Sequence, residues 1–128
     1  MVKASFNKTL LLIDDEYLIR QIVQVCLENL GNWKTIIATS GKEGLTAIAK
    51  TKPDAILLDI MMPDMNGFDF LEQLQADVEL STIPVILLTA CTNLLNYQAL
   101  LALGCKGAIA KPFDPLTLVS QISYILDW

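Results

Sequence analysis

Short apolar runs alternate along this sequence with longer stretches in which apolar residues recur at helical spacing. Residues 55–58 are continuously apolar, which is typical of a strand buried on both faces. Four further runs of strand length are rich in apolar or β-branched residues. Together the predicted strands cover residues 9–14, 33–39, 55–59, 84–90 and 107–110.

Helical periodicity fills the segments between these strands. Seven apolar positions in the first segment follow a helical period that ends at Gly31. Ser40 and Glu43 have the spacing of a capping box for the second helix. Asp114 is predicted to cap the last helix, with Pro115 at its first position. The predicted helices cover residues 16–30, 41–50, 67–76, 92–103 and 115–127.

Five strands that alternate with five helices predict the α/β class: one doubly wound, five-stranded parallel sheet in a single domain over residues 1–128. Sheets of this kind bind ligands beyond the carboxyl ends of their strands. The polar residues that end or follow the apolar strands all fall at that edge. They are Asp14, Asp15, Asp59, Thr89 and Lys111. We therefore predict one functional site there.

Composition and charge narrow the function. The chain has 128 residues, of which 53% are hydrophobic and 18% charged, as expected for one globular domain. A net charge of −5 argues against a direct nucleic-acid partner. The chain has no histidine, which excludes imidazole catalysis and imidazole metal ligands.

Location is also predicted from composition. No apolar run reaches the ~18–20 residues that cross a bilayer, and no signal segment opens the chain, so no membrane partner is expected. Cys26, Cys91 and Cys105 are widely spaced and odd in number. This pattern favours reduced thiols and a cytoplasmic location.

The charges at the predicted site suggest phosphoryl chemistry. Like-charged carboxylates repel by about 4 kcal/mol per pair at ~4 Å and an effective dielectric near 20. A divalent cation would relieve this repulsion, and oxygen ligands favour Mg²⁺. Lys111 offers a positive charge for a phosphate oxygen, and Thr89 offers a hydroxyl donor. Together these groups predict phosphoryl transfer onto Asp59, whose carboxylate would be the nucleophile.

Four motifs, in order and spacing, resemble the receiver (CheY-like) domains of two-component response regulators. They are Leu11-Leu12-Ile13-Asp14-Asp15-Glu16, Leu58-Asp59-Ile60-Met61-Met62-Pro63-Asp64-Met65-Asn66-Gly67, Val85-Ile86-Leu87-Leu88-Thr89-Ala90 and Lys111-Pro112-Phe113. The resemblance covers nearly the whole chain. It implies the flavodoxin-like strand order 2-1-3-4-5 and a phosphoacceptor role for Asp59, with a histidine kinase or histidine phosphotransfer protein as donor.

The same resemblance implies the roles of the neighbouring residues. Asp15, Asp59 and the backbone carbonyl of Met61 would coordinate Mg²⁺, and Asp14 would act mainly through water. Thr89 and Lys111 would hold the phosphoryl oxygens, and Lys111-Pro112 would be a cis peptide. The chain would not be an enzyme, apart from slow loss of its own phosphoryl group. Glu16 is interpreted as a solvated acid of the first helical turn.

The sequence departs from the family pattern at one position, and two further positions bear on the lifetime of the phosphoryl group. Receivers commonly carry Tyr or Phe three residues before the lysine, and here that position is Ala108. The usual movement of an aromatic ring with the threonine hydroxyl is therefore in doubt. Met61 and Cys91, two residues beyond Asp59 and Thr89, flank the path of hydrolytic water in the family. Because both are apolar, we predict slow self-dephosphorylation.

Charge is absent from the predicted helices 92–103 and 115–126. Their apolar content exceeds one core-facing stripe, so a homodimer or a docked partner is expected on this face. The alternative is an uncharged polar surface without a partner.

Other interpretations stay open within the receiver class. The chain would act as a single-domain regulator or relay; alternatively it is a receiver segment of a larger hybrid kinase or multidomain regulator, or a scaffold that works by protein binding.

Two classes outside the receivers fit the sequence less well. A dehalogenase-type phosphatase would need a second aspartate where Met61 stands. A dinucleotide binder would need a glycine-rich loop after the first strand.

Overall fold

A parallel sheet runs through the computed structural model, which describes residues 7–90 and 97–128 of the chain. Its strands are β1 (Thr9–Ile13), β2 (Lys34–Ala38), β3 (Ala55–Asp59), β4 (Val85–Thr89) and β5 (Gly107–Ala110). In these ranges all five strands are parallel and lie in the order β2-β1-β3-β4-β5. The predicted α/β class and strand order are confirmed.

Helices connect the strands along the described chain. They are α1 (Tyr17–Asn29), α2 (Gly41–Thr51), α3 (Gly67–Ala76), α4 (Tyr97–Ala102) and α5 (Leu118–Leu126), with a short 3₁₀ helix at Leu80–Thr82 that the pattern does not predict. Ser40 caps α2 as predicted, because its hydroxyl accepts the N–H of Glu43 at 3.1 Å. The predicted start of the fourth helix, residues 92–96, lies outside the described residues.

The predicted start of the last helix is wrong by three residues. The Asp114 side chain accepts the N–H of Leu116 at 2.9 Å, and its carbonyl accepts the N–H of Thr117 at 3.0 Å. These bonds close a separate turn over residues 115–117, and α5 begins only at Leu118. Asp114 therefore caps a turn rather than the helix. The Lys111-Pro112 peptide bond is cis, as the resemblance implies.

Two apolar layers hold the sheet between its helices. Leu11, Ile13, Ile56 and Leu58 point into the layer that α2, α3 and α4 cover. The alternate positions Leu10, Leu12 and Leu57 point into the layer that α1 and α5 cover. Side chains of successive strand residues point to opposite faces, so continuously apolar strands are buried on both sides. The strand ends, and the groups that follow them, are thereby fixed in position.

Helix α1 buries a narrower stripe than its sequence predicts. Val23, Cys26 and Leu27 are buried, but three residues of the predicted apolar stripe, Leu18, Ile22 and Leu30, are 71%, 40% and 57% exposed. Val25 is also 56% exposed. We call Leu18, Ile22 and Val25 the α1 apolar face.

Two tryptophans close the amino-terminal edge of the sheet. Trp33 directly precedes β2, and its ring meets that of Trp128 edge-on, with centroids 5.1 Å apart. Lys8 Nζ lies 5.0 Å from the Trp128 ring centroid. In the described part of the chain, no helix has the length and apolar character to cross a membrane.

Candidate functional site

The acidic cluster forms where two neighbouring strands end. Ile13 of β1 pairs with Leu58 of β3, so the aspartates that follow these positions lie at the same edge of the sheet. Asp14, Asp15 and Asp59 each offer a carboxylate oxygen, and these oxygens lie within 4.8 Å of one another. Asp14 and Asp59 are buried, whereas Asp15 is exposed. The parallel strand ends thus bring Asp59 together with two acids that lie far from it in the sequence.

Asp14 is held from several directions. Its Oδ1 accepts the N–H of Glu16 at 2.8 Å, and its own N–H donates to the Ala38 carbonyl at 3.2 Å. Its carbonyl oxygen accepts a bond from Arg20 Nη1 at 3.1 Å. The turn from β1 into α1 is therefore tied to β2 and to the first turns of the helix.

The loop after β3 folds back tightly onto Asp59. The N–H of Gly67 donates to the Ile60 carbonyl at 2.8 Å, and a Cβ at Gly67 would lie 2.8 Å from Ile60 Cα. Only glycine fits this approach without displacement. The N–H of Met61 donates to Asp59 Oδ1 at 3.2 Å, while the Met61 side chain is 77% exposed. The main chain at Met61 therefore borders the acidic cluster.

Lys111 brings the positive charge. Its Nζ lies 2.8 Å from Asp14 Oδ2, 3.5 Å from Asp59 Oδ1 and 3.3 Å from Glu16 Oε1. The Lys111 side chain is 12% exposed. Its main-chain N–H donates to the Thr89 carbonyl at 2.9 Å, which ties the end of β5 to the end of β4. A nearly buried ammonium thus faces the carboxylates.

Burial and charge shift both central pKa values. Burial and the neighbouring charge of Asp14 raise the pKa of Asp59 to about 6, although Lys111 and the Met61 N–H act in the opposite sense. Burial disfavours the Lys111 ammonium, but the hydrogen bond and charge of Asp14, with Asp59 and Glu16, outweigh it and raise the Lys111 pKa. The carboxylates exceed the cation in number, so the site has an excess of negative charge.

A hard divalent cation fits this excess. Three carboxylate oxygens within 4.8 Å of one another are the donor type that Mg²⁺ prefers. The raised pKa of Asp59 indicates that its ionised form has too little compensation from Lys111 alone. The residues present therefore suit a hard divalent cation.

Thr89 ends β4 beside the cluster. It is 3% exposed and pairs in register with Ala110 of β5, one residue before Lys111. Ala108 lies opposite Leu87 and is half-buried, so no aromatic ring stands at this position of β5. Cys91 lies outside the described residues, and the prediction about water access beside it stays a prediction.

The structure brings Asp14, Asp15, Asp59 and Lys111 into one cluster and adds the main chain of Met61 and of Thr89. Two participants are missed by the sequence reading. Glu16, interpreted as a solvated acid, contacts Lys111, and Arg20 binds the Asp14 carbonyl. Arg20 is the only arginine of the sequence, and it stands one helical turn beyond Glu16. For Arg20, its position in the first turns of α1 was the signal in the sequence; for the contact of Glu16 with Lys111 the sequence held none.

The structure also has two apolar grooves, neither of which is lined by residues of the acidic cluster. One, of about 380 Å³, lies between α1 and the turn before α5 and is lined by Gln21, Ile22, Val25, Cys26 and Pro115. The other, of about 310 Å³, lies along α5 and is lined by Thr117, Ser120, Gln121, Tyr124 and Ile125. The second groove belongs to the face predicted for a partner, where Tyr124 is 89% exposed.

Comparison with known proteins gives consistent relatives. The sequence model of the response regulator receiver domain matches residues 10–123. Response regulator Rre1 of Synechocystis sp. is 34% identical over 122 residues, which are 92% of this chain and 51% of that protein. The DNA-binding response regulator MtrA of Mycobacterium tuberculosis is 33% identical over 118 residues, 92% of this chain and 50% of that protein. The chain spans about half the length of these curated relatives.

Among solved structures, the chemotaxis response regulator CheY4 of Vibrio cholerae aligns with a TM-score of 0.83 and 31% identity, covering 92% of this chain and 98% of that one. A 2-1-3-4-5 parallel sheet with an acidic cluster and a lysine at its carboxyl edge defines the class of receiver-type signalling domains. The chain belongs to the response regulator receiver domain family of two-component systems.

Proposed function

We propose that this chain accepts a phosphoryl group on Asp59 from a phosphohistidine of a histidine kinase or histidine phosphotransfer protein. A carboxylate oxygen of Asp59 attacks phosphorus, the bond from phosphorus to the donor nitrogen breaks, and the imidazole leaves with a proton from solvent. With a pKa of about 6, Asp59 is largely ionised at neutral pH. No general base is needed, which agrees with the absence of histidine.

The observation that carries this proposal is the contact of one lysine with the acidic cluster. Lys111 Nζ lies within 3.5 Å of carboxylate oxygens of both Asp14 and Asp59. A phosphoryl group on Asp59 would place its oxygens beside this ammonium, and the Thr89 hydroxyl would hold a second oxygen. Asp15, Asp59 and the Met61 carbonyl would hold Mg²⁺, with Asp14 acting mainly through water. When bound, Mg²⁺ neutralises charge on the phosphoryl oxygens.

Residues 1–128 form one receiver domain in this proposal, acting as a single-domain regulator or relay. Its coverage of 98% of the CheY4 chain supports a domain of this size. The half-length match to Rre1 and MtrA supports the alternative, a receiver within a multidomain regulator. We place the reaction in the cytoplasm, since Cys26 and Cys105 are free thiols.

The phosphodonor would dock on the α1 apolar face. The phosphohistidine of the donor must reach bonding distance of Asp59. The donor therefore has to cover the acidic cluster and the surface next to it at the carboxyl edge of the sheet. Leu18 stands two residues after Glu16, and Ile22 and Val25 continue the same exposed face. The uncharged groove along α5 is left for a second copy or an output partner, as the charge distribution predicts.

Incubation with phosphoramidate and Mg²⁺, followed by intact-mass measurement, tests the proposal. We expect one added phosphoryl group on the wild-type chain, lost on alkaline hydrolysis as acyl phosphates are. The Asp59→Asn variant, which keeps the shape of the side chain, should gain none, and EDTA should abolish the reaction of the wild type. Equal modification of wild type and variant would refute Asp59 as the acceptor.

A further inference from the structure

Glu16 is a third carboxylate on Lys111 and stands outside the acidic cluster. Its Oε1 lies 3.3 Å from Lys111 Nζ, compared with 2.8 Å for Asp14 Oδ2 and 3.5 Å for Asp59 Oδ1. Among the described residues, the group whose oxygens converge within 4.8 Å contains Asp14, Asp15 and Asp59 but not Glu16. Glu16 therefore contacts the lysine without belonging to the expected metal ligands.

The three carboxylates differ in what Mg²⁺ would do to them. Asp14 and Asp59 would turn their charge towards a bound cation, and their hold on the ammonium would weaken accordingly. Glu16 stands on the α1 side of Lys111 and is 59% exposed at its side chain. Its contact with Nζ does not compete with the metal. In the loaded site Glu16 would remain as a carboxylate partner of Lys111.

A phosphoryl oxygen must then compete with Glu16 for the same ammonium. A carboxylate that engages one of the three N–H donors of Lys111 draws Nζ towards itself, and so away from an oxygen bound to Asp59. At 3.3 Å, with the Glu16 side chain 59% exposed, this contact is a modest one, so its loss should change the rate only a few-fold. The competition therefore acts on the group that would stabilise charge on the phosphoryl oxygens.

We propose that Glu16 is a positioning residue that holds Lys111 towards α1 and thereby restrains the phosphorylation of Asp59. The inference rests on the proposed function, because it concerns the rate of that reaction. Glu16 acts through Lys111 and touches neither the phosphoryl group nor the metal. The rate at which this receiver is loaded is set in part by an acid that follows its two aspartates directly.

The test compares Glu16→Gln with Glu72→Gln, an equal charge change at an exposed position of α3. With phosphoramidate at saturating Mg²⁺, we expect Glu16→Gln to be phosphorylated about two- to five-fold faster than the wild type, the range of one partly exposed ion pair. Glu72→Gln should match the wild type. An equal acceleration in both variants would show a general charge effect and overturn the proposal.

A double-mutant cycle assigns the effect to the lysine. In a Lys111→Met background, where all rates are lower, Glu16→Gln should leave the rate unchanged. The same acceleration in both backgrounds would mean that Glu16 does not act through Lys111. The Mg²⁺ affinity of Glu16→Gln, measured by calorimetry, should stay within about two-fold of the wild type, since Glu16 is a charge near the site and not a ligand.

A readout without phosphorylation completes the test. The Lys111 ammonium should give a slowly exchanging ¹⁵N–¹H NMR signal in the metal-loaded wild type, and Glu16→Gln should accelerate its exchange with water. An unchanged signal would overturn the contact. If the wild type itself gains no phosphoryl group, the proposed function fails. If it does gain one and Glu16→Gln reacts at the same rate, the inference about Glu16 fails alone.

Discussion

Asp59 carries a negative charge in a place that disfavours it. The residue is 4% exposed, and its carboxylate faces a second buried acid, Asp14, across the ends of β1 and β3. Ionisation at neutral pH therefore costs folding free energy, and the same cost favours any cation that compensates it. Any affinity for a metal that this arrangement confers would therefore come at the expense of the stability of the metal-free protein.

Replacement of this acid should stabilise the metal-free chain. The folded pKa of Asp59, about 6, lies above its unfolded value of 3.8. The favourable contribution of the protonated group is therefore complete below about pH 4 and is lost as the pH rises through 6. In EDTA at pH 7, Asp59→Asn should raise the free energy of unfolding by about 1–3 kcal/mol.

Urea unfolding between pH 4 and pH 8 checks this expectation. The gap between variant and wild type should narrow as the pH falls through 6 towards 4, where folded Asp59 is protonated and the ionised fraction of the unfolded form is falling. Added Mg²⁺ should stabilise the wild type and leave Asp59→Asn nearly unchanged. A variant less stable than the wild type at pH 7 would contradict the raised pKa.

Arg20 offers a second prediction at the scale of one residue. Its guanidinium bonds the Asp14 carbonyl at 3.1 Å and lies 5.7 Å from the Tyr17 ring centroid. Loss of this tether should loosen the turn that carries Asp14 and Asp15. We expect Arg20→Met to weaken Mg²⁺ binding about two- to five-fold in calorimetry, the value of one partly exposed hydrogen bond.

The direction of the change in Mg²⁺ affinity distinguishes the loss of the hydrogen bond of Arg20 from the loss of its charge. Removal of a positive charge alone favours cation binding, so a weaker affinity identifies the lost tether. Lys42→Met, which removes an exposed charge at the start of α2, is the matched control and should leave binding unchanged or slightly tighter. Tighter binding in Arg20→Met would count against the tether.

At the scale of the elements, the connection from β3 to α3 is tightly constrained. A Cβ at Gly67 would lie 2.6 Å from Ile60 Cδ1 and 2.8 Å from Ile60 Cα, and the second atom belongs to the main chain. Gly67→Ala should therefore destabilise the protein by about 1–3 kcal/mol through overpacking. Displacement of this loop should also weaken Mg²⁺ binding, because Met61 lies within it.

Thermal and urea unfolding measure the first effect. Glu72→Ala, an exposed change in the same helix, should stay within about 0.5 kcal/mol of the wild type. If Gly67→Ala unfolds like this control, the close approach to Ile60 is not a constraint in solution.

Element boundaries also show where sequence reasoning succeeds. Asp59 and Asp14 could be placed because apolar strands end at them, and parallel strands share an edge. The start of α5 could not, because Asp114 and Pro115 satisfy the rules of a helix cap equally well at the head of a turn. The exposed α1 apolar face was missed because periodicity gives the direction of a stripe but not the width that the sheet covers.

The contact of Glu16 with Lys111 lay beyond the reach of sequence. The two residues are 95 positions apart, and their meeting depends on where two long side chains point at the rim. The strand order predicts that the main chains of the two residues are close. Which carboxylate Lys111 contacts depends on the rotamers of the two side chains. Motif spacing carries no such detail.

At the scale of the whole molecule, the grooves on α1 and along α5 are lined by uncharged residues, and we propose a different partner for each. Ile22→Asp should slow phosphotransfer from a phosphohistidine protein by about ten-fold, since a charge in an apolar interface costs about 1–3 kcal/mol. The rate with phosphoramidate, which needs no docking, should be unchanged. Tyr124→Asp, on α5, should leave both rates as in the wild type.

Quenched time courses with a phosphorylated histidine phosphotransfer domain measure the phosphotransfer rates of the two variants and the wild type. A loss in Tyr124→Asp but not in Ile22→Asp would move donor docking to the α5 side. Sedimentation of the Tyr124→Asp variant at high concentration then tests whether that side joins two copies, in which case the variant is monomeric where the wild type is not.

The paired indoles have a practical consequence for all these measurements. Trp33 and Trp128, the only tryptophans of the chain, sit in edge-on contact at the amino-terminal edge of the sheet, opposite the acidic rim. Unfolding should separate the two indole rings and expose both to water. Binding of Mg²⁺ or a phosphoryl group at the acidic cluster should leave the surroundings of these rings unchanged. We therefore expect tryptophan fluorescence to report unfolding and to stay unchanged when Mg²⁺ or a phosphoryl group binds. Occupancy of the acidic cluster would need a separate fluorescent probe.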